Sequence, residues 1–126
     1  MTASWIAVAS YMALIFVVSG ASFRSDLFED AQKIHADWLV HVVEYSVLGF
    51  LLSRALKRSA RRLRGTFIYA AVLAIGVAYA ASDEYHQSFV PSRDASLHDG
   101  LADTAGLALG AWLWTRRQKE NRSIDA

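Results

Sequence analysis

Residues 83–110 read DEYHQSFVPSRDASLHDGLADTAGLALG and lie between two long apolar runs. This stretch contains the chain's only proline, Pro91, together with two of its four histidines and five of its twelve acidic residues. A proline stops a helix that approaches it from the N-terminal side, and the sequence Pro-Ser-Arg is typical of a turn. We therefore interpret residues 83–110 as a polar junction between two helices.

Charged side chains are missing from the apolar runs on either side. None occurs between Met1 and Phe23 or between residues 65 and 82. About 20 helical residues, each rising 1.5 Å, cross a hydrocarbon core of roughly 30 Å. Two further segments reach that length only by including a few polar groups. We therefore predict an all-α membrane protein, one domain over residues 1–126, with spans at about 3–21, 38–56, 65–82 and 97–115.

A soluble four-helix bundle is the alternative fold. Its helices would each show a polar stripe, whereas the first and third spans are apolar on every face. The first run lacks the basic residues that precede the apolar region of a secretory signal, so we expect it to stay as a span. Residues 23–36 hold five charged side chains and can form a loop with a short interfacial helix. The absence of cysteine excludes disulfides and thiolate metal sites.

Basic residues are distributed unevenly along the chain. Six Lys or Arg residues lie between positions 54 and 64, four follow residue 115, and three lie elsewhere. Cytoplasmic loops of membrane proteins are enriched in Lys and Arg, so the basic connection and both termini are predicted to be cytoplasmic. The acidic residues mostly lie on the opposite side, so residues 83–110 face outward. A net charge of +1 gives no indication of nucleic-acid binding.

Polar residues recur at helical spacing in the second, third and fourth spans, so each of these spans carries one polar face. Ionised groups in hydrocarbon are costly, and such faces should turn inward to pair or to line a wet cavity. The fourth face also contains a Gly-x-x-x-Gly pair, which allows close helix contact. The three faces comprise Asp37, His41, Glu44, Tyr45 and Leu48; Gly76, Ala80, Asp83 and Gln87, with Glu84 beside them; and Asp99, Asp103, Gly106 and Gly110.

These residues make the chain resemble the VanZ-like family of small bacterial membrane proteins. The resemblance covers roughly residues 10–115. This chain has Trp38, Ser92 and Asp103 at positions where the family commonly has Lys, Gly and often Asn. It implies the four-span fold, the bacterial cytoplasmic membrane, and a link to the cell envelope and to glycopeptide resistance. The matching pieces are Asp37-x3-His41-x3-Tyr45-x2-Leu48-Gly49, the run from Asp83 to Arg93, and Asp99-x3-Asp103-Thr104-x-Gly106-x3-Gly110.

Our first functional hypothesis is an enzyme that acts on a lipid-linked or headgroup substrate at the outer leaflet. A histidine among carboxylates can act as acid or base near neutral pH, and an arginine can clamp a phosphate or carboxylate. The predicted acid–base cluster consists of His41, Glu44, Asp83 and Glu84. The substrate-binding candidates are Tyr45, Gln87, Arg93, Asp99 and Asp103.

A divalent metal ion is the one cofactor that these residues suggest, with His41, Asp83, Glu84 and Asp103 as the N/O ligand set. The sequence lacks paired ligand motifs of the His-Glu-x-x-His kind, so metal content stays open.

Two other hypotheses remain. The outer site can bind or shield a lipid, a cell-wall precursor or a glycopeptide without chemistry, or the polar groups can form a purely structural network that sets helix register. Membrane lipid and a lipid-linked cell-wall precursor are the predicted partners. We expect the basic residues from 54 to 64 to anchor the chain on anionic lipid. Trp5, Trp38, Trp112 and Trp114 are predicted to be interfacial or lipid-facing, and Ser19 to bond back to its own helix.

Overall fold

The computed structural model describes residues 2–20, 37–90 and 97–124, which form four α-helices and include no strand. The helices are α1 (Thr2–Gly20), α2 (Asp37–Ser59), α3 (Gly65–Gln87) and α4 (Leu97–Ile124). The prediction of an all-helical chain with four helices at these positions is confirmed. The predicted interfacial helix falls within residues 21–36, outside the described residues.

Three of the helices are long and apolar enough to cross a membrane, namely Thr2–Gly20, Trp38–Ser59 and Gly65–Gln87. The predicted fourth span, at residues 97–115, is not among them. The first two turns of α4 carry His98, Asp99 and Asp103, and these polar groups lower its mean hydropathy. The helix also continues past the predicted end of the span to Ile124, so the basic residues after position 115 are helical.

Contacts between helix ends show that consecutive helices alternate in direction. The start of α1 meets the end of α2, where Trp5 donates a hydrogen bond of 2.8 Å to Ser59 and Arg58 donates one of 3.1 Å to Ser4. The ends of α1 and α3 lie together, where the Phe16 ring stacks on His86. We call the end at which α2 and α4 finish the basic end, and the opposite end the acidic end.

Glycines allow α2 and α4 to pack with their backbones in contact. A Cβ atom on Gly106 would lie 2.5 Å from the carbonyl oxygen of Val42, and one on Gly110 would overlap the carbonyl oxygen of Ser46. From the α2 side, Gly49 faces the backbone of Leu107 in the same way. The predicted Gly-x-x-x-Gly seam is therefore confirmed as the contact between α4 and α2.

Apolar side chains occupy both the interior and the outer surface of the bundle. Large residues such as Ile6, Val17 and Phe67 each expose more than half of their surface. Extensive exposed apolar surface on several helices suits a lipid environment better than water. The prediction for Trp114 was wrong, because this side chain is buried. The interior consists of Val8, Ile15, Tyr45, Leu48, Leu52, Ala55, Ile68, Val72, Ala80, Leu107 and Ala111.

Candidate functional site

A buried histidine and a buried aspartate join α2 to α4 at the acidic end. The Nδ1 atom of His41 lies 2.8 Å from Oδ1 of Asp103, and the two residues are 7% and 1% exposed. Gly106 lies one turn further along α4 than Asp103, so the close helix approach at that glycine brings the carboxylate within reach of the imidazole. A carboxylate bonded to one ring nitrogen orients a histidine and stabilises its protonated form.

A second buried carboxylate joins α1 to α3. The Ser19 hydroxyl donates a hydrogen bond of 2.6 Å to Oδ1 of Asp83, and the Gln87 amide donates one of 2.9 Å to Oδ2. Both oxygens of this carboxylate are therefore engaged, one by a different helix and one by the next turn of α3. The predicted bond from Ser19 to its own helix is also present, to the carbonyl oxygen of Phe16 at 3.2 Å.

Tyr45 lies between the two carboxylates. It is only 1% exposed, and its hydroxyl has no hydrogen-bond partner among the described residues. The carboxylates of Asp103 and Asp83 both act electrostatically on this hydroxyl. Its ring packs at a tilt against the ring of Tyr79, with the centroids 6.3 Å apart. Tyr45 is thus buried near both hydrogen-bonded groups without bonding to either, and we refer to the two groups together as the polar network.

Glu44 lies on the side of α2 that faces α1 and α3. Its backbone carbonyl accepts a hydrogen bond of 3.1 Å from the Tyr11 hydroxyl. The Tyr79 hydroxyl in turn donates a bond of 2.6 Å to the carbonyl of Met12. This group of residues ties the middle of α1 to the rest of the bundle.

A cleft of about 340 Å³ opens between α3 and the start of α4. Its volume lies within the range of roughly 300–1,000 Å³ that is typical of small-molecule sites. The lining is largely apolar and includes Val77, Ala80 and Leu97, while Glu84 carries the only charge among its described lining residues. Asp83 directly precedes Glu84 in the sequence but is not among the residues that line the cleft.

The structure brings together many of the residues that the sequence analysis proposed. His41 pairs with Asp103, Asp83 pairs with Gln87, and Tyr45 lies between them. The remaining candidates are placed separately: Glu44 towards α1, Glu84 in the cleft and Asp99 half-buried in the first turn of α4, while Arg93 lies outside the described residues. The functional roles of all these residues remain predictions.

The hypothetical metal ligands do not converge. No three His, Asp or Glu side chains within residues 2–20, 37–90 and 97–124 are close enough to hold a metal ion together. The proposed ligands were His41, Asp83, Glu84 and Asp103. Of these, Asp83 has both carboxylate oxygens hydrogen-bonded to Ser19 and Gln87 and so does not direct them to the other three. The described residues therefore do not fit a divalent ion.

Sequence reasoning missed the contribution of α1 to this site. The buried residues of α1 are Ser4, Val8, Ile15 and Ser19, which are spaced by four, seven and four and so mark one inward face. This signal is weak, because the outward faces of α1 are equally apolar. His86, which lies within the matching run from Asp83 to Arg93, also contacts α1, because its ring stacks on Phe16 with centroids 4.0 Å apart.

The sequence of this chain is similar to that of a known protein family. A family model described as VanZ/LLP1 matches residues 4–118, a range that contains every candidate residue of the acidic end. No curated protein and no solved structure matches the chain.

Proposed function

Since this chain belongs to the VanZ/LLP1 family, we propose that it is a multi-pass protein of the bacterial cytoplasmic membrane that acts on a lipid-linked or cell-surface headgroup. We place its site on the extracytoplasmic face and its biological role in the cell envelope, in connection with glycopeptide resistance. The observation that carries the proposal is the occurrence, at the same end of the bundle, of the buried His41–Asp103 pair and an apolar cleft that contains Glu84.

In this proposal all four helices span the membrane. The support for α4 as a span is its close packing along α2, together with an apolar stretch from residue 104 to residue 115. Asp103, which would be costly in lipid, is almost fully buried against His41. The excess of Lys and Arg at the basic end supports a cytoplasmic location for that end, and the acidic end then faces outward.

The orientation has a direct test. A reporter that is active only in the cytoplasm, fused after residue 124 of the full chain, is expected to be active, because four spans return the C-terminus to the side of the basic connection. A second fusion in the 91–96 connection should be active only with a periplasmic reporter. Activity of the opposite reporter at either position would contradict the proposed topology.

In this proposal the cleft binds the substrate and the His41–Asp103 pair takes part in proton transfer. The apolar lining is suited to the hydrocarbon part of a lipid-linked substrate, whose headgroup would then lie near Glu84. The His41–Asp103 pair can accept a proton from a reacting hydroxyl and hold it, because the carboxylate stabilises the imidazolium form. We assign Arg93 to the headgroup phosphate on sequence grounds alone.

A structural role is the second candidate for the same network, and one observation favours it. Both oxygens of Asp83 are bonded within the protein, and Asp103 is bonded across the helix interface. Buried polar networks of this kind can specify how helices pack. In that case substitution would lower stability without a separate effect on a substrate.

Substitution of His41 and Glu84 separates these hypotheses. Membranes containing the full chain would be supplied with a radiolabelled lipid-linked cell-wall precursor, and both conversion and retention of the label would be measured. For an acid–base role we expect His41→Ala to lower conversion by about 100-fold or more, while retention persists. Glu84→Gln should reduce conversion or retention, whereas Glu120→Gln, which removes an exposed acid at the other end, should change neither.

Other outcomes distinguish the alternatives. If the unaltered protein retains the precursor without converting it, and Glu84→Gln abolishes retention, the chain is a binding protein. Gel filtration in detergent would measure the amount of folded protein. If His41→Ala lowers conversion and retention only as much as it lowers the amount of folded protein, the network is structural. If the unaltered protein neither converts nor retains the precursor, this substrate class is wrong.

A further inference from the structure

We propose that the cleft at the basic end is a specific binding site for the phosphate headgroup of an anionic phospholipid. The cleft has a volume of about 410 Å³ and lies between the last turns of α2 and α4. Five basic side chains line it, and none of its described lining residues is acidic: Arg54, Lys57, Arg58, Arg61 and Arg117. The proposal concerns the end opposite to the His41 site and does not depend on the chemistry proposed there.

Two of these cations hold the walls of the cleft in place. The Lys57 ammonium donates hydrogen bonds to the carbonyls of Arg61 and Leu63, at 2.8 and 3.0 Å, and so fixes the turn that follows α2. The Arg58 guanidinium donates to the Ser4 hydroxyl at 3.1 Å and ties the end of α2 to α1. Lys57 therefore holds the turn between α2 and α3, Arg58 holds the end of α2 against α1, and both side chains also line the cleft.

The other three cations are arginines whose guanidinium groups are not engaged in ion pairs with described acidic residues. Arg54, Arg61 and Arg117 are exposed, and within the described part of the chain none of them makes an ion pair. Like charges gathered in one cleft repel each other, so a bound anion lowers the electrostatic energy of the folded chain. Guanidinium groups form paired hydrogen bonds with phosphate oxygens, which makes phosphate the best-suited anion.

Aromatic residues set deeper in the bundle indicate a lipid as the source of that phosphate. Phe50 lies one turn before Arg54 on α2, and Trp114 lies just under one turn before Arg117 on α4; both line the cleft. The cations thus lie towards the end of the bundle and the apolar groups towards the middle of the helices. A phospholipid has the same order along its length, with the phosphate outside and the hydrocarbon inside, whereas a soluble phosphate has no part that would use the aromatic lining.

Matched arginine substitutions test this site. Arg61→Gln/Arg117→Gln removes two lining charges, and Arg62→Gln/Arg116→Gln removes two neighbouring charges that do not line the cleft. The Arg116 guanidinium instead lies 4.8 Å from the centre of the Trp112 ring. Both double variants therefore lower the net charge equally at the same end of the bundle. All four arginines are exposed, so we expect both variants to fold normally, which circular dichroism would check.

The measurement is native mass spectrometry of the full chain in neutral detergent, titrated with phosphatidylglycerol or, separately, with phosphatidylcholine. We expect one tightly retained phosphatidylglycerol per chain. Loss of two basic contacts should weaken its binding roughly 25-fold in the Arg61/Arg117 variant, with less than a twofold change in the Arg62/Arg116 variant. Arg61→Lys/Arg117→Lys should retain more affinity than the glutamine variant, because it preserves both charges.

Three results would overturn the proposal. Equal weakening in the two glutamine variants would mean that only diffuse charge attracts the lipid. Equal retention of phosphatidylcholine would mean that the anionic headgroup is not recognised. Displacement of phosphatidylglycerol by inorganic phosphate at the same concentration would identify a soluble phosphate, and not a lipid, as the ligand of the cleft.

Discussion

Gly110→Ala is expected to destabilise the bundle far more than an added methyl group normally would. The new Cβ atom would overlap the carbonyl oxygen of Ser46 and lie 2.8 Å from the backbone nitrogen of Phe50. Both obstacles are backbone atoms, so no side-chain rotation can relieve the overlap and α4 must move away from α2. Overpacking of this kind costs about 1–3 kcal/mol or more. Gly106→Ala should behave similarly, since its Cβ atom would meet the Val42 carbonyl.

Gly100→Ala is the matched control on the same helix. A Cβ atom at Gly100 would have no neighbour within 4 Å, and alanine favours a helix over glycine by about 0.5–1 kcal/mol. Thermal unfolding in detergent, followed by circular dichroism, should therefore show a lower midpoint for Gly110→Ala and an equal or higher one for Gly100→Ala. Equal midpoints for the two variants would show that α2 and α4 do not pack as closely as described.

Asp103→Leu is expected to be the most damaging single change at the acidic end. It leaves the His41 imidazole buried without the carboxylate that lies 2.8 Å from its Nδ1 atom. Breaking a buried ionic pair by removing one partner typically costs about 3–5 kcal/mol, whereas replacing both partners with apolar residues is often neutral. The double variant His41→Leu/Asp103→Leu should therefore recover much of the lost stability.

A double-mutant cycle on the free energy of unfolding gives the coupling between the two residues. We expect the two single variants to be non-additive by about 1–3 kcal/mol. Additive effects would contradict a direct interaction in the folded protein. The double variant also separates stability from function, because it should stay folded and yet fail to convert a headgroup substrate. Full activity in that variant would assign the pair a structural role only.

Much of the acidic end could be predicted from local spacing. Buried Gly76, Ala80, Asp83 and Gln87 lie on the predicted face of α3, since residues three and four apart share one side of a helix. The small residues Gly106 and Gly110 likewise indicated a close helix contact, which the structure shows against α2. Burial of His41 and Asp103 agrees with the expectation that polar groups in apolar helices turn inward.

The division of the acids into separate groups could not be predicted. Spacing places Asp83 and Asp103 on inward faces, but it does not state which neighbouring helix each face meets. Asp83 bonds to Ser19 of α1 and Asp103 to His41 of α2, and these partners lie 64 and 62 residues away in sequence. The sequence prediction of an acid–base cluster did not include Ser19, whose hydroxyl on the inward face of α1 bonds one oxygen of Asp83.

Local chemistry accounts for the number of helices, their approximate ends and the side of each helix that avoids lipid, because charge-free length and helical periodicity are properties of neighbouring residues. Packing alone determines that α2 lies against α4 closely enough to bring His41 to Asp103, and that Trp114 is buried beside a basic cleft. Such pairings depend on which surfaces fit together in space. In the observed alignment the two backbones are in contact at Gly49, Gly106 and Gly110, and the same alignment brings His41 to Asp103.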